Sequence, residues 1–390
     1  MDGSAPPMRA FLGLALAAMA VLAGCTQPAD EPTPPADPVD NAYHVPAVPA
    51  VDAVQLLADH AKFVTANGER ADNLPTHESA RKDLLAAFDS FGLESYRHNF
   101  TTGALANQAN IVGIQWGVQR DQWVVVGGHY DTVTDDCLVG GTPDPLPPAE
   151  NPCALRALSQ GAYDDGSGTM MTVHLARQFA NATPYYTIAY VLFDGEELGT
   201  QGAAAFVRDF MTEAEHDDGT FATPYGHVDI VGDVDLDMIG INWPGTWNPI
   251  NVMTNSELLW KEVQNKTGAL GFPDGQVVRK DGLQLGSSDY ARFWEVGKDE
   301  GGPIPTVFFI SAFEEVAAPG DSPQDVHTPA PAGVYPFWHL EDTVETMTAM
   351  AGGEANLVKG FQSATEVAAH MLHLLAFQND VTVDATVVTA

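Results

Sequence analysis

The stretch Tyr185-Tyr186-Thr187-Ile188-Ala189-Tyr190-Val191-Leu192-Phe193 runs directly into Asp194-Gly195-Glu196-Glu197-Leu198-Gly199. Its first nine residues carry no charge and are mostly aromatic or aliphatic, the pattern of a strand buried on both faces. Such a strand needs helices on either side, which points to an α/β protein. At its end the chain presents two adjacent carboxylates, Glu196 and Glu197. Paired carboxylates beside apolar surface are costly unless something positive is near. A divalent metal accounts for both, with one carboxylate as ligand and the other taking a proton from an activated water. A solvated acidic turn is the plainer reading. The choice rests on whether His and Asp stand at other strand ends.

Working outward, Val51–Thr65 and Ser79–Phe91 have apolar residues at helical spacing. Asn110–Ile114, Trp123–Gly127, Asp235–Ile241 and Thr306–Ile310 read as further strands, and Gly168–Ala180 and Glu354–Phe377 as helices. Strands alternating with helices predict a mixed, mostly parallel twisted sheet covered by helices on both faces, in a single large domain over residues 49–378. In such sheets sites form outside the carboxyl ends of the strands.

Several of these ends carry ligand-type residues. Gly127-Gly128-His129-Tyr130-Asp131 follows one strand, where His129 can hold a metal while Asp131 fixes its other ring nitrogen. Gly161-Ala162-Tyr163-Asp164-Asp165-Gly166-Ser167-Gly168 is a tight turn opening a helix. There Asp164 reads as a ligand able to bridge two metals, and Asp165 equally as a helix cap. Asp235-Leu236-Asp237-Met238 offers two aspartates on one face of a strand, and spacing does not choose between them. A late histidine stands in Trp338-His339-Leu340-Glu341-Asp342-Thr343. His174 reads as a packed or exposed helix residue, and His370 and His373 as helix-surface histidines. No GxSxG elbow and no GxGxxG after a strand occurs, so serine-hydrolase and dinucleotide readings have no support.

Taken in this order, the motifs resemble the co-catalytic, di-zinc aminopeptidases, whose fold is shared with glutamate carboxypeptidase-like proteins and glutaminyl cyclases. The resemblance covers about residues 50–378. It implies one zinc on His129 and Asp237, a second on Glu197 and His339, Asp164 bridging them, Glu196 as general base and Asp131 orienting His129. It also implies a cis peptide at Asp164-Asp165. Gly286-Ser287-Ser288-Asp289-Tyr290 resembles a family segment near the substrate, which makes Asp289 a contact or supporting residue, alongside Trp338 and Asp342. His327-Thr328-Pro329 competes with His339 for the last ligand; Asp342-Thr343 and the helix after it favour His339. The activity implied is zinc-dependent aminopeptidase action on peptides. The alternative is glutaminyl-peptide cyclisation on a single zinc, and a third reading is a non-catalytic surface binding protein.

Charge and the chain ends add context. With 52 acidic against 17 basic residues and a net charge of −35, nucleic acid is not an expected partner. Such a surface suits a salty medium that screens self-repulsion. The apolar run from Ala10 to Ala23 is too short to span a bilayer and fits a signal peptide over residues 1–25. Leu22-Ala23-Gly24-Cys25 resembles a bacterial-type lipobox, which implies lipidation of Cys25 and a membrane-anchored lipoprotein facing the periplasm or exterior. Residues 26–48, rich in Pro and acids, form an extended linker, and 379–390 a tail. In an exported chain, Cys137 and Cys153 are placed to close a disulfide across a Gly/Pro-rich loop.

Overall fold

The computed structural model describes residues 43–71, 74–102, 105–132, 159–215, 219–241, 250–280, 288–299, 303–311 and 341–379, with 383 and 385. They belong to the unit Asp40–Ala390. Its strands are β1 (Glu94–Thr102), β2 (Leu105–Gln115), β3 (Gln119–His129), β4 (Tyr186–Phe193), β5 (Asp229–Asp237), β6 (Ile250–Thr254), β7 (Val277–Lys280) and β8 (Thr306–Ser311). They form one sheet in the order β1-β2-β4-β3-β5-β8-β6-β7. The centre, β4-β3-β5-β8, is parallel, while β1/β2, β2/β4 and β6/β8 are antiparallel. The mixed α/β sheet expected from the sequence is therefore present.

The helices are α1 (Ala53–Asn67), α2 (Pro75–Ser90), α3 (Gly166–Phe179), α4 (Gln201–Val207, widening into a π turn at Arg208–Thr212), α5 (Glu257–Ala269), α6 (Tyr290–Asp299), α7 (Val344–Met350) and α8 (Glu354–Phe377). Alternation along β3 explains how both faces are filled. Val124 and Val126 enter a core with Leu56, Phe63, Met171 and Leu372, whereas Trp123 and Val125 enter a second with Phe206, Phe210 and Phe293. The first core packs α1, α3 and α8 on one face; the second holds α4 and its π turn. No helix among the described residues is long and apolar enough to cross a membrane.

Several boundaries differ from the sequence expectation, each for a physical reason. Helix α2 begins at Pro75, which suits a first turn whose amides have no intrahelical acceptor. The expected strand Asp235–Ile241 lies earlier, at Asp229–Asp237, because the backbone turns at Met238 (φ 48°). Its first half pairs with β3, and from Asp233 onward the strand lies between β3 and β8. The folded unit also starts before residue 49: the Tyr43 hydroxyl donates to the Phe377 carbonyl at 3.0 Å, and the His373 Nε2 lies 2.7 Å from the Pro46 carbonyl. The predicted signal peptide with Cys25, the linker up to residue 42, Cys137, Cys153, His327, Trp338 and His339 lie outside the described residues.

Candidate metal centre

Three parallel strands end side by side. His129 is the last residue of β3 and Asp237 the last of β5; β4 ends at Phe193 and leads into Glu196-Glu197. The fourth contributor, Asp164, precedes α3 across a cis Asp164-Asp165 peptide. The sheet thus gathers residues 35 to 108 positions apart from His129.

His129 is the hub. Its Nε2 lies 3.1 Å from Asp164 Oδ1, 3.7 Å from Asp237 Oδ1 and 4.0 Å from Glu196 Oε2. Its Nδ1 lies 3.4 Å from Asp131 Oδ1, and its carbonyl accepts the Thr169 hydroxyl at 2.6 Å. His129, Asp164 and Glu197 each offer a ligand atom within 4.8 Å of the others, and so do His129, Asp165 and Asp237. Burial disfavours a charged imidazole, but the surrounding carboxylates of Asp131, Asp164 and Asp237 outweigh it and raise the pKa of His129 well above its ordinary value.

Asp131 also organises the glutamate turn, its carboxylate accepting the Glu196 amide at 3.2 Å and the Glu197 amide at 3.3 Å. The Glu196 side chain is only 13% exposed. Burial pushes its pKa well up; His129 opposes this, while Glu197, Asp289 and Asp237 add to it.

The structure separates the paired aspartates that spacing leaves equivalent. Asp235 accepts the amides of Tyr290 (2.6 Å) and Leu236 (3.0 Å). Asp237 accepts the Ser288 hydroxyl on Oδ2, and its buried Oδ1 has no hydrogen-bond partner. Asp165 caps α3, accepting the Gly168 amide at 2.8 Å, and also takes the Met238 amide at 3.1 Å, which fixes the turn after Asp237. Asp289 is fully buried beside this cluster with both oxygens unpartnered. Asp342 acts on backbone: its carboxylate accepts the Tyr163 amide at 2.9 Å and the Asp164 amide at 3.0 Å.

A divalent cation fits this donor set. Hard carboxylate oxygens and an imidazole converge, and a buried carboxylate oxygen with no partner faces the His129 ring. Three histidines of the helices go elsewhere: His370 meets Glu262 Oε2 at 3.1 Å, His373 meets Pro46, and His174 is buried with both ring nitrogens unpartnered.

Two buried arginines near the site escaped the sequence reading. Arg81 of α2 donates to the Tyr130 hydroxyl (2.7 Å) and to Asp194 Oδ2 (2.7 Å), while His77 Nε2 lies 2.8 Å from Asp194 Oδ1. Arg70, between α1 and α2, donates to the Tyr130 carbonyl at 2.6 Å. A basic residue in so acidic a chain is a weak signal, and its burial leaves no local pattern.

Ligand-type side chains at the ends of the parallel strands of a mixed sheet define a zinc-exopeptidase-like α/β protein. The chain belongs to Peptidase family M28, whose sequence model matches residues 110–347. It is 28% identical over 203 residues to Aminopeptidase YwaD of Bacillus subtilis, covering 50% of this chain and 36% of that protein. It is 28% identical over 134 residues to a probable zinc metalloprotease of Pyrenophora tritici-repentis, covering 34% of this chain and 24% of the relative. The chain thus spans about a quarter to a third of the length of these curated relatives. In fold it resembles BSAP, a zinc aminopeptidase from Bacillus subtilis (TM-score 0.58, 14% identity, 87% of this chain and 99% of that one). It also resembles a glutaminyl cyclase from Porphyromonas gingivalis (TM-score 0.55, 19% identity, 83% and 98%).

Proposed function

We propose that the protein is a zinc-dependent exopeptidase, an aminopeptidase that removes N-terminal residues from peptides. The observation that carries this is the placement of Glu196 beside the hub, its carboxylate 4.0 Å from the His129 ring, with Asp164, Asp237 and Glu197 around the same imidazole. His129 and Asp237 would hold one zinc, Glu197 and His339 the other, and Asp164 would serve both. Bound zinc supplies the Lewis acidity that polarises a scissile carbonyl and acidifies water.

The chain's own residues do the rest. Glu196, whose carboxyl is pushed toward proton uptake by burial and its neighbours, takes the proton of the attacking water and returns it to the leaving amine. Asp131 holds His129 by Nδ1 and the glutamate turn by its amides, so base and ligand keep a fixed relation. Asp342 fixes the approach of Asp164 through the backbone. The acidic groups around the centre suit a substrate's free α-ammonium group, and the family resemblance suggests Asp289 and Trp338 as residues that contact or support that substrate. Cys25 lipidation, a Cys137–Cys153 disulfide and an exported, membrane-anchored location complete the proposal, supported by the sequence of the leader and the loop.

Metal analysis and a substrate panel test the reading. About two zincs per chain and chelator-sensitive hydrolysis of aminoacyl amides and peptides are expected. One zinc with conversion of N-terminal glutaminyl peptides instead identifies a cyclase, and no zinc with no turnover a binding protein.

A further inference from the structure

The loop Ser159–Asp164 delivers Asp164 to the hub, and two residues of opposite charge, Asp342 and Arg70, hold its backbone. Its amides go to Asp342: Gln160 and Ala162 donate to the Asp342 carbonyl (2.8 and 3.4 Å), and Tyr163 and Asp164 to its carboxylate. Two of its carbonyls go to Arg70, whose Nη1 donates to Gln160 at 2.5 Å and Nη2 to Gly161 at 2.9 Å.

The same guanidinium reaches the other side of the site. Arg70 Nε donates to the Tyr130 carbonyl, Nη1 also to the Gly68 carbonyl at 3.1 Å, and the Arg70 amide to the Thr132 hydroxyl at 2.8 Å. Tyr130 lies between His129 and Asp131. One fully buried side chain therefore grips both the segment that carries His129 and the loop that carries Asp164. Its contacts leave little slack: a Cβ on Gly161 (φ 54°) would come 2.8 Å from Arg70 Nη2. Burial lowers the Arg70 pKa to about 10, with Asp342, Asp165, Asp131 and Asp164 holding it up, so the group stays cationic at neutral pH.

We propose that Arg70 is a positioning residue for the metal centre, setting the His129–Asp164 separation through the carbonyls of Tyr130, Gln160 and Gly161. The planar fork of guanidinium is what this needs: N–H groups in fixed directions meeting three carbonyls from two segments. An ammonium keeps the charge among the four aspartates but cannot hold all three carbonyls in that geometry. The inference rests on the zinc reading of the site.

The test compares wild type with Arg70→Lys and Arg70→Met. Zinc affinity is measured by competition with a chromophoric chelator, and thermal unfolding is measured on the metal-free chains. Arg177→Met, which breaks an ion pair with Asp59 on the α1–α3 side, serves as the stability control. Arg70→Met is expected to loosen zinc by roughly 10–100-fold, as removal of supporting groups at metal sites does. Arg70→Lys is expected to fall between it and wild type, and Arg177→Met to leave zinc affinity unchanged. Should Arg70→Met fail to fold, Arg70→Lys decides the matter by the same titration. If folded Arg70 variants lose metal-free stability yet bind zinc as wild type does, Arg70 is a packing staple and the inference is overturned. A wild-type chain that takes up no zinc overturns the metal reading itself, and this inference with it.

Discussion

The amide of Glu196 donates to Asp131 Oδ1 at 3.2 Å, although the two residues leave different strands. Asp131 Oδ1 is also 3.4 Å from His129 Nδ1, so one oxygen ties the candidate base to the candidate ligand. Replacing Asp131 with Asn leaves one acceptor oxygen for amides that now have two. Zinc affinity is expected to fall about 10–100-fold. Chelator competition reads this directly, and an unchanged affinity would remove Asp131 from its orienting role.

Glu196→Gln keeps the side-chain volume and removes the proton acceptor. Turnover is expected to drop about 10²–10⁴-fold, the range for general acid–base catalysis, while zinc content stays at the wild-type value. Steady-state kinetics with metal analysis on the same preparation separates the two quantities. Wild-type turnover in the variant assigns the base elsewhere.

His174 is buried in α3 with neither ring nitrogen partnered, and burial, with Arg177 adding, lowers its pKa from 6.5 to about 4. The folded state thus disfavours the proton that the unfolded state accepts at 6.5. The stability this group contributes is complete above pH 6.5 and is lost as pH falls toward about 4, by up to about 3 kcal/mol. His174→Leu is expected to match wild type at neutral pH and to unfold at a higher temperature than wild type near pH 5. Parallel thermal unfolding across that interval shows it; identical pH profiles would exclude His174 as an acid-sensitive group.

Gly360 of α8 packs against the carbonyl of Gly240, three residues beyond Asp237, and a Cβ there would collide with that backbone oxygen. Gly360→Ala is expected to destabilise the metal-free chain by about 1–3 kcal/mol or more, because the obstacle is main chain and cannot rotate away. Urea unfolding measures the loss. A neutral result would mean that α8 shifts freely against the turn after β5.

Much of the candidate site was legible because each strand end carries its candidate ligand next to a recognisable apolar run: Val124-Val125-Val126 before His129, and Ile188 to Phe193 before the glutamates. The long helix Glu354–Phe377 was legible to the residue, since its apolar stripe is uninterrupted. The strands β1, β6 and β7 and the helices α4 to α6 were not expected. They are short, or polar on one side, and their partners in the sheet supply the order that their own composition does not.

The sequence by itself determined the chemistry available: which residue types stand at which strand ends, and an acidic chain that needs cations. Only the tertiary structure decided which of two equivalent aspartates joins the hub. Asp235 is taken by the amide of Tyr290, 55 residues away, and Asp237 is left with a free oxygen toward His129. It also decided what holds the Asp164 loop in place, since Arg70 works through carbonyls 60 to 91 residues distant. The physical reason is common to both cases. A strand's alternation fixes only the face on which a side chain stands, whereas a hydrogen bond between distant backbone and side-chain groups exists only once packing has brought them within about 3 Å.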